Sequence, residues 1–202
     1  MQPENLTLQI FHHQQWHDAA ELSFDADFVC THLDYLNDYA FCQAENGDFL
    51  CWEKDDVYAL GLNYPVNIMG YQNQPFTFLD DIIPSGASRR YWVQHLGIGR
   101  QPENQQNYTL LQRGTIAPIG NVRIKQAVPP EAATRHFQAA EAINRQADFL
   151  EYAQEHGAIA GGATGAGGEA PKLLLRQTPS GEIWIDNQQD GKSADAYYLV
   201  KY

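Results

Sequence analysis

Alternation of apolar and polar positions dominates the first 70 residues and predicts an antiparallel sheet. The strand-like segments are LTLQIFH (6–12), AELSF (20–24), FVCTHLDY (28–35), FLCWE (49–53) and VYALGL (57–62). The tetrapeptide ENGD (45–48) has the composition of a tight turn between two of these segments. We therefore expect short strands joined by tight connections in this part of the chain.

A helical pattern follows this region. Ser85 is suited to cap a helix that runs to about Leu96, and Gly97 can supply the left-handed stop. The segment RQPENQQN (100–107) predicts a polar loop. The segment YTLLQRGTIAPIGNVRIK (108–125) then predicts a strand, a turn region rich in Gly and Pro, and a second strand at its end.

The longest helical pattern covers residues 127–157, with prolines at its entry and a glycine at its exit. Asp148 followed by Glu151 has the form of a helix-starting cap. The pattern therefore predicts two helices, with a break near Gln146 and a short second helix that ends near His156.

Strand-like alternation returns in the last part of the chain. The segments are KLLLRQT (172–178), EIWID (182–186) and AYYLVKY (196–202), separated by the turn PSG and the polar loop NQQDGKSAD. The change of composition at QAVPPE (126–131) is the candidate domain boundary.

Composition is that of a folded domain, with 44% hydrophobic and 12% aromatic residues. No run approaches the roughly 18 uncharged apolar residues that a membrane helix needs. The N-terminal segment MQPENLTLQIFHHQQW has neither a basic start nor an apolar signal core. We therefore expect a cytoplasmic protein with no membrane contact.

The net charge of −12 is concentrated in the first third of the chain. Residues 1–60 carry twelve acidic residues and one basic residue, Lys54, which leaves a net charge of only −1 on the rest. Such a surface repels a phosphate backbone, which disfavours direct DNA binding by this region. A basic protein partner or a solvated surface that aids solubility are the two remaining explanations, and solubility is the commoner one.

Cysteine and histidine give little support to a metal site or a disulfide framework. The cysteines Cys30, Cys42 and Cys51 are odd in number and form no C-x-x-C pair, which favours buried free thiols. The histidines His12, His13, His17 and His32 include a spacing that binds metal on helices, but HQQWHD is typical of a turn between strands. We expect no metal site.

A run of glycine and alanine, AIAGGATGAGGEAPKLLLRQ (158–177), is the feature with the most chemical meaning. A flexible linker is one interpretation, and composition alone favours it slightly. The apolar flanks instead favour a turn between strands, where backbone N–H groups without an obstructing Cβ can bind an anion. Neither the Walker pattern nor a strict G-x-G-x-x-G is present.

Lys201, in the strand-like segment YLVKY, is the second element of this feature. A single lysine at the end of a strand is most often only an exposed charge. Protein kinases, however, place a glycine-rich loop over the ATP phosphates and a lysine on the third strand of the small lobe that reaches those phosphates. The order of loop, strands and lysine in this chain is the same.

These residues resemble the HipA-like serine/threonine kinases, which are toxins of bacterial type II toxin-antitoxin systems. The resemblance extends over nearly the whole chain, as the N-terminal part of a longer protein. It is carried by three blocks: FTFLDDIIPSGASRRYWVQHLGI (76–98) with LLQRGTIAPIGNVRI (110–124), DFLEYA (148–153), and GAGGEAPKLLL (165–175) leading to YLVKY. The last block is the most specific.

The resemblance implies an α+β fold in three parts. Residues 1–127 would form an N-terminal antiparallel-sheet subdomain with a helix, and residues 128–157 a helical connector. Residues 158–202 would begin a kinase-like small lobe, with the glycine-rich loop and the strands up to the ATP lysine. The large lobe of the kinase is not part of these residues.

The resemblance also implies roles for individual residues. Gly165, Gly167 and Gly168 would form the loop over the ATP phosphates, Lys172 would close it, and Lys201 would contact the phosphates. Family members can be switched off by autophosphorylation of a serine in this loop. Here Thr164 is the only hydroxyl of the loop, which makes it the candidate for autophosphorylation and a departure from the family pattern.

A complete kinase would also need Mg²⁺ ligands and a catalytic aspartate, which the family places in its large lobe. We therefore assign no catalytic residue to this chain and expect it to be inactive by itself, as a truncated protein or one part of a split system. The expected partners are a HipB-like antitoxin, through which alone DNA is reached, and the protein substrate of the kinase.

Two other functions are compatible with the same residues. One is a noncatalytic antitoxin-binding or autoinhibitory module, in which the glycine run is a tether. The other is an unrelated nucleotide-binding protein that uses the loop without a kinase lobe.

Overall fold

The computed structural model describes residues 2–43, 58–115, 120–128, 135–155, 172–186 and 194–201. Within these ranges the chain forms two antiparallel sheets and six α-helices. The α+β class predicted from the sequence is therefore confirmed. The described ranges contain no helix of the length and apolarity that crossing a membrane requires.

The first sheet has five strands in the order β4-β3-β2-β1-β5, and all its neighbours are antiparallel. Its strands are β1 (Leu6–His12), β2 (Gln15–Phe24), β3 (Cys30–Tyr35), β4 (Tyr71–Gln72) and β5 (Val122–Ile124). His13 and Gln14 close the β1–β2 hairpin with φ angles of 48° and 63°. These positive angles match the right-handed twist of a two-residue hairpin.

The core of this sheet follows from strict alternation along β1. Leu6, Leu8 and Ile10 are fully buried, whereas the positions between them contact the surface or polar neighbours. The same cluster contains Leu22 of β2 and Leu33 of β3, which register places on the same face. The predicted strands at 6–12, 20–24 and 28–35 are thus confirmed, although β2 begins at Gln15 and β3 at Cys30. The turn predicted at HQQWHD (13–18) is therefore wrong beyond His13 and Gln14, because residues 15–18 pair with β1.

Four helices accompany the first sheet in the described residues, more than the one helix expected. They are α1 (Asn37–Gln43), α2 (Phe78–Ile82), α3 (Gly86–His95) and α4 (Glu103–Arg113). Helix α3 begins directly after Ser85, as predicted. It ends in a Schellman motif, because Gly97, at φ 66°, and Ile98 donate their N–H groups to Gln94 O and Val93 O.

The predicted loop at 100–107 and strand from residue 108 are wrong, since α4 occupies this region. Glutamate, glutamine and leucine are good helix formers, so the polar stretch is compatible with a helix once one side is buried. Tyr108 and Leu111 supply that side by packing in the core of the first sheet. The polar sequence of this segment does not reveal the burial that stabilises α4.

The predicted strand at 57–62 is also wrong for the residues that the structure describes, 58–62, which form turns and bends. Two tyrosines hold this segment by hydrogen bonds. Tyr35 accepts a bond from the Leu60 N–H (2.8 Å), and Tyr39 donates one to Tyr58 O (2.7 Å). The predicted turn 45–48 and strand 49–53 lie outside the described residues.

The two predicted helices and the break between them are confirmed, but the helical pattern is wrong at its start. Phe137 and Gln138 pair as a short strand with residues 182–183, so the first helix begins only at Ala139. Helix α5 (Ala139–Ile143) and helix α6 (Ala147–Glu155) are separated near Gln146. Asp148 lies in the first turn of α6. The capping box is found at α5 instead, where Gln138 and Glu141 satisfy each other's backbone N–H groups.

The second sheet has the order β6-β8-β7-β9 and is also antiparallel. Its strands are β6 (Phe137–Gln138), β7 (Lys172–Gln177), β8 (Glu182–Ile185) and β9 (Ala196–Lys201), so the three predicted strands are confirmed. Residues of β6, α5 and α6 share one hydrophobic cluster with these strands: Phe137, Ala142, Phe149, Ala153, Leu173, Leu175, Ile183 and Ile185. The helices expected as a connector therefore pack on the second sheet.

Candidate nucleotide-phosphate site

Two lysine positions are paired at one end of the second sheet. Strands β7 and β9 are neighbours, and their register sets Lys172 directly opposite Lys201. Lys172 is the first residue of β7 and follows the glycine run in the sequence. The antiparallel pairing thus places Lys172, which follows that run in the sequence, beside Lys201.

The same register arranges one face of the sheet in three rows. Beyond the lysine positions lie Leu174 and Leu199, then Arg176 and Tyr197. Successive rows are about 7 Å apart, because every second residue of a strand shares a face. Leu199 and Tyr197 are 54% and 56% exposed, so this face, which we call the open face, offers apolar surface next to the lysine positions.

The opposite face is covered by α5 and α6. A cleft of about 450 Å³ lies between α5 and the strands, lined by Ala139, Ala142, Ile143, Arg145, Leu175, Gln177, Ile183, Tyr198 and Val200. Most of these side chains are apolar. Tyr198 donates a hydrogen bond to Gln177 Oε1 (3.1 Å), which fixes two of the few polar groups in this cleft.

Arg176 is the centre of a buried polar cluster on the open face. The register sets Trp184 of β8 and Tyr197 of β9 on either side of it. Their ring centroids lie 4.3 Å and 4.8 Å from the guanidinium carbon, a double cation–π arrangement. The arginine side chain has no exposed surface.

Two carboxylates complete this cluster. Arg176 Nη1 lies 3.8 Å from Asp186 Oδ1, and Arg176 Nε lies 3.5 Å from Asp195 Oδ2. Asp195 also accepts a hydrogen bond from Trp184 Nε1 (2.9 Å). The cluster joins β7, β8 and the residue before β9, so it holds the strands that carry the lysine positions in register.

The structure brings together only part of the predicted site. Lys172 and Lys201 lie opposite one another, whereas Gly165, Gly167, Gly168 and Thr164 lie outside the described residues. Arg176, Asp186 and Asp195 were not predicted from the sequence. One signal was available in the sequence: Arg176 follows three consecutive leucines in the predicted strand KLLLRQ, and a charge that is buried there requires partners.

The histidines of the first sheet form a cluster of a different kind. The rings of His12 and His17 are stacked, with centroids 3.9 Å apart and planes 3° from parallel. His12 Nδ1 lies 3.4 Å from His13 Nδ1, and the Tyr58 ring lies 5.0 Å from the His12 ring. No three side chains of His, Cys, Asp or Glu in the described ranges could together hold a metal ion.

Acid is expected to destabilise the fold through His12. Burial, followed by the nearby charges of His17 and His13, lowers the pKa of His12 from 6.5 to about 4. The unfolded chain therefore binds more protons between these two values, so stability is complete above pH 6.5 and falls as the pH drops toward 4. Because the imidazole is partly exposed, we expect a loss of about 1–2 kcal/mol rather than the full value.

The measurement is urea unfolding of the chain and of His12→Gln between about pH 7.5 and pH 5, above the range in which most carboxylates titrate. The variant should lose about 1 kcal/mol less stability than the native chain over this interval. His95→Gln, which removes an exposed histidine far from His12 in the sequence, is the matched control. An identical acid loss in His12→Gln would exclude His12 as its source.

The one cysteine whose side chain is described, Cys30, is not a reactive group. Burial raises the pKa of its thiol to about 12. At neutral pH the thiolate, which is the nucleophile, is therefore nearly absent. Cys30 is a free thiol, as predicted, but it is only partly buried and packs against the core of the first sheet.

Comparisons of the chain with protein-family models, with curated proteins and with solved structures each find no match. Any functional assignment therefore depends on the residues of the second sheet and on the sequence resemblance described above.

Proposed function

We propose that this chain is the N-terminal region of a HipA-like serine/threonine kinase and that the second sheet binds the phosphates of ATP. The observation that carries the proposal is the direct pairing of Lys172 with Lys201 at the strand end that follows the glycine run. Two positive charges and a glycine-rich backbone segment are the groups that recognise a polyphosphate.

Each part of the proposed site would have its own role in binding. Backbone N–H groups around Gly165, Gly167 and Gly168 would contact the phosphates, and Lys172 and Lys201 would offset their charge. Leu174 and Leu199 of the open face supply apolar surface next to these positions. A ligand with an anionic end and an apolar end matches this order.

Mg²⁺ would accompany ATP, since the ion neutralises the phosphates and bridges their oxygens in kinases. Its ligands and the catalytic aspartate would be contributed by the large lobe of the family. We therefore propose phosphate binding, and not phosphate transfer, for residues 1–202. Thr164 would be the regulatory hydroxyl of the loop.

The first sheet would serve as a surface for partners, among them a HipB-like antitoxin. Its acidic character, with a net charge of −11 over residues 1–60, supports a protein partner over a nucleic acid. DNA would be reached through the antitoxin, and the protein substrate of the kinase would be a further partner.

Removal of Lys201 tests the proposal. We expect Lys201→Ala to weaken binding of Mg-ATP by about 10- to 100-fold, because a charge-assisted contact to phosphate contributes roughly 1.5–3 kcal/mol. The measurement is calorimetric titration of the longest form of the protein that the coding sequence specifies. A coding sequence that continues with paired aspartate motifs would support the kinase assignment independently.

Lys125→Ala is the matched control, since it removes the same charge next to the first sheet, where Lys125 pairs with Asp18. It should bind Mg-ATP as the native protein does. Equal affinity of Lys201→Ala and the native protein would remove Lys201 from the site and with it the proposed function.

A further inference from the structure

A loop beside the edge of the first sheet presents large apolar side chains to solvent. It covers residues 61–70, directly before β4, and we call it the Met69 loop. Leu62, Ile68 and Met69 are 61%, 58% and 84% exposed. Single exposed apolar side chains are common on protein surfaces, whereas several on one short loop are typical of an interaction site.

Hydrogen bonds from two tyrosines of the first sheet hold this loop in place. Tyr35 of β3 accepts a bond from the Leu60 N–H and donates one to Tyr64 O (2.6 Å). Tyr71 of β4 donates a bond to Pro65 O (2.6 Å). Tyr35 and Tyr64 are buried, so this end of the loop is anchored in the core of the sheet.

The tip of the loop is fixed against β3. Asn67 is buried, and its Oδ1 accepts a bond from the Met69 N–H (2.8 Å). Gly70 follows with a φ angle of 66°, and a Cβ at this position would collide with the carboxylate of Asp34. Only glycine fits this close approach. Ile68 and Met69 are thus exposed on a fixed backbone, and a partner binds them with little loss of conformational entropy.

The edge of the sheet that carries the loop is acidic. The described residues 2–43 and 58–88 include acidic side chains but neither lysine nor arginine. Arg123 lies on β5, at the opposite edge of the sheet, about 19 Å from β4. Asp34 is exposed beside Gly70, so a negative charge lies next to the apolar tip.

Helix α2 adds two further carboxylates near the loop. The ring of Phe78 lies 5.2 Å from that of Tyr64, which packs α2 beside the loop. Asp80 and Asp81, in the first turn of α2, are exposed. None of the ion pairs among the described residues involves these two side chains or Asp34. Their charges are therefore accessible to a partner.

We propose that the Met69 loop binds a basic amphipathic segment of a partner protein. The apolar side of this segment packs on Leu62, Ile68 and Met69, and its lysines or arginines lie beside the carboxylates. Methionine suits such a surface because its flexible side chain adapts to different apolar partners. The proposal specifies part of the partner surface assigned to the first sheet, and it does not depend on ATP binding at the second sheet.

The same charges disfavour two other occupants. A nucleic acid and the anionic surface of a membrane are both negatively charged, so the carboxylates around the loop repel them. An apolar centre with charged groups around it is instead the usual arrangement of a protein–protein interface. Charge complementarity therefore selects a basic protein segment.

The test uses the full chain and a fluorescein-labelled peptide of leucine and lysine, with the leucines on one side of a helix, measured by fluorescence anisotropy. We expect the double variant Ile68→Ser and Met69→Ser to bind about 10- to 100-fold more weakly, because apolar anchors contribute most of the affinity. Asp34→Asn should lower the affinity by a smaller factor, about 2 to 5, and this loss should shrink as salt rises.

Val29→Ser is the matched control. Val29 is 43% exposed and precedes the other end of β3, about 17 Å from Asp34. This variant should bind the peptide as the native chain does. Circular dichroism establishes that each variant is folded, which is expected because the replaced side chains are exposed.

Four results would overturn the proposal: no binding of the peptide, equal binding of a peptide of the same composition in shuffled order, unchanged affinity in the double variant, or an equal loss in Val29→Ser. Tighter binding to vesicles that contain phosphatidylserine than to the peptide would assign the loop to a membrane surface instead.

Discussion

Replacement of Arg176 by alanine is expected to lower the free energy of unfolding by about 3–5 kcal/mol, the largest effect of any charged residue in the described structure. The guanidinium is fully buried between the rings of Trp184 and Tyr197 and lies between the carboxylates of Asp186 and Asp195. Its removal leaves two buried carboxylates without the charge that lies between them. Urea unfolding, followed by tryptophan fluorescence, measures the change.

The variant Arg113→Ala is the control, because this arginine lies exposed in the last turn of α4. Its loss should stay below about 1 kcal/mol.

A second variant separates the charge effect from packing. Arg176→Met combined with Asp186→Asn and Asp195→Asn removes the buried charges together, while asparagine can still accept the hydrogen bond from Trp184. We expect it to recover most of the stability lost in Arg176→Ala, since replacing a whole buried ionic cluster is often nearly neutral. A loss of less than about 1 kcal/mol in Arg176→Ala would show that the cluster contributes little.

Replacement of Phe149 by alanine is expected to destabilise the second sheet by about 3–5 kcal/mol. Phe149 has no exposed surface, and its ring meets that of Phe137 edge to face, with centroids 5.2 Å apart. The substitution opens a cavity between α6 and the strands. Differential scanning calorimetry should show the lower midpoint.

Ile143→Ala, at the end of α5, is the matched control because Ile143 is 76% exposed. Its effect should be within about 0.5 kcal/mol, as for most surface substitutions. Similar losses in the two variants would contradict the position assigned to Phe149 in the core.

The sequence predicted those elements whose burial is one-sided and regular. Alternation along Leu6, Leu8 and Ile10 is visible in the sequence without any partner strand. Helix α3 was predicted because its start and stop residues, Ser85 and Gly97, are local signals. Such signals can be identified in the sequence because they depend only on a few neighbouring residues.

Elements that depend on distant contacts were mispredicted. Helix α4 has a polar sequence, and the burial of Tyr108 and Leu111 against the first sheet supplies the energy that its pattern lacks. The segment 58–62 is apolar enough for a strand, but hydrogen bonds with Tyr35 and Tyr39 hold it as turns. Neither contact can be deduced from neighbouring residues.

The candidate site was likewise predicted only in part from the sequence. The amino-acid order alone establishes that a glycine run precedes Lys172 and that an apolar segment carries Lys201. The pairing of these two lysines and the burial of Arg176 depend on the register of β7 with β9 and β8. Register is set by the matching of whole apolar faces across strands, a property of the folded sheet that no single segment encodes.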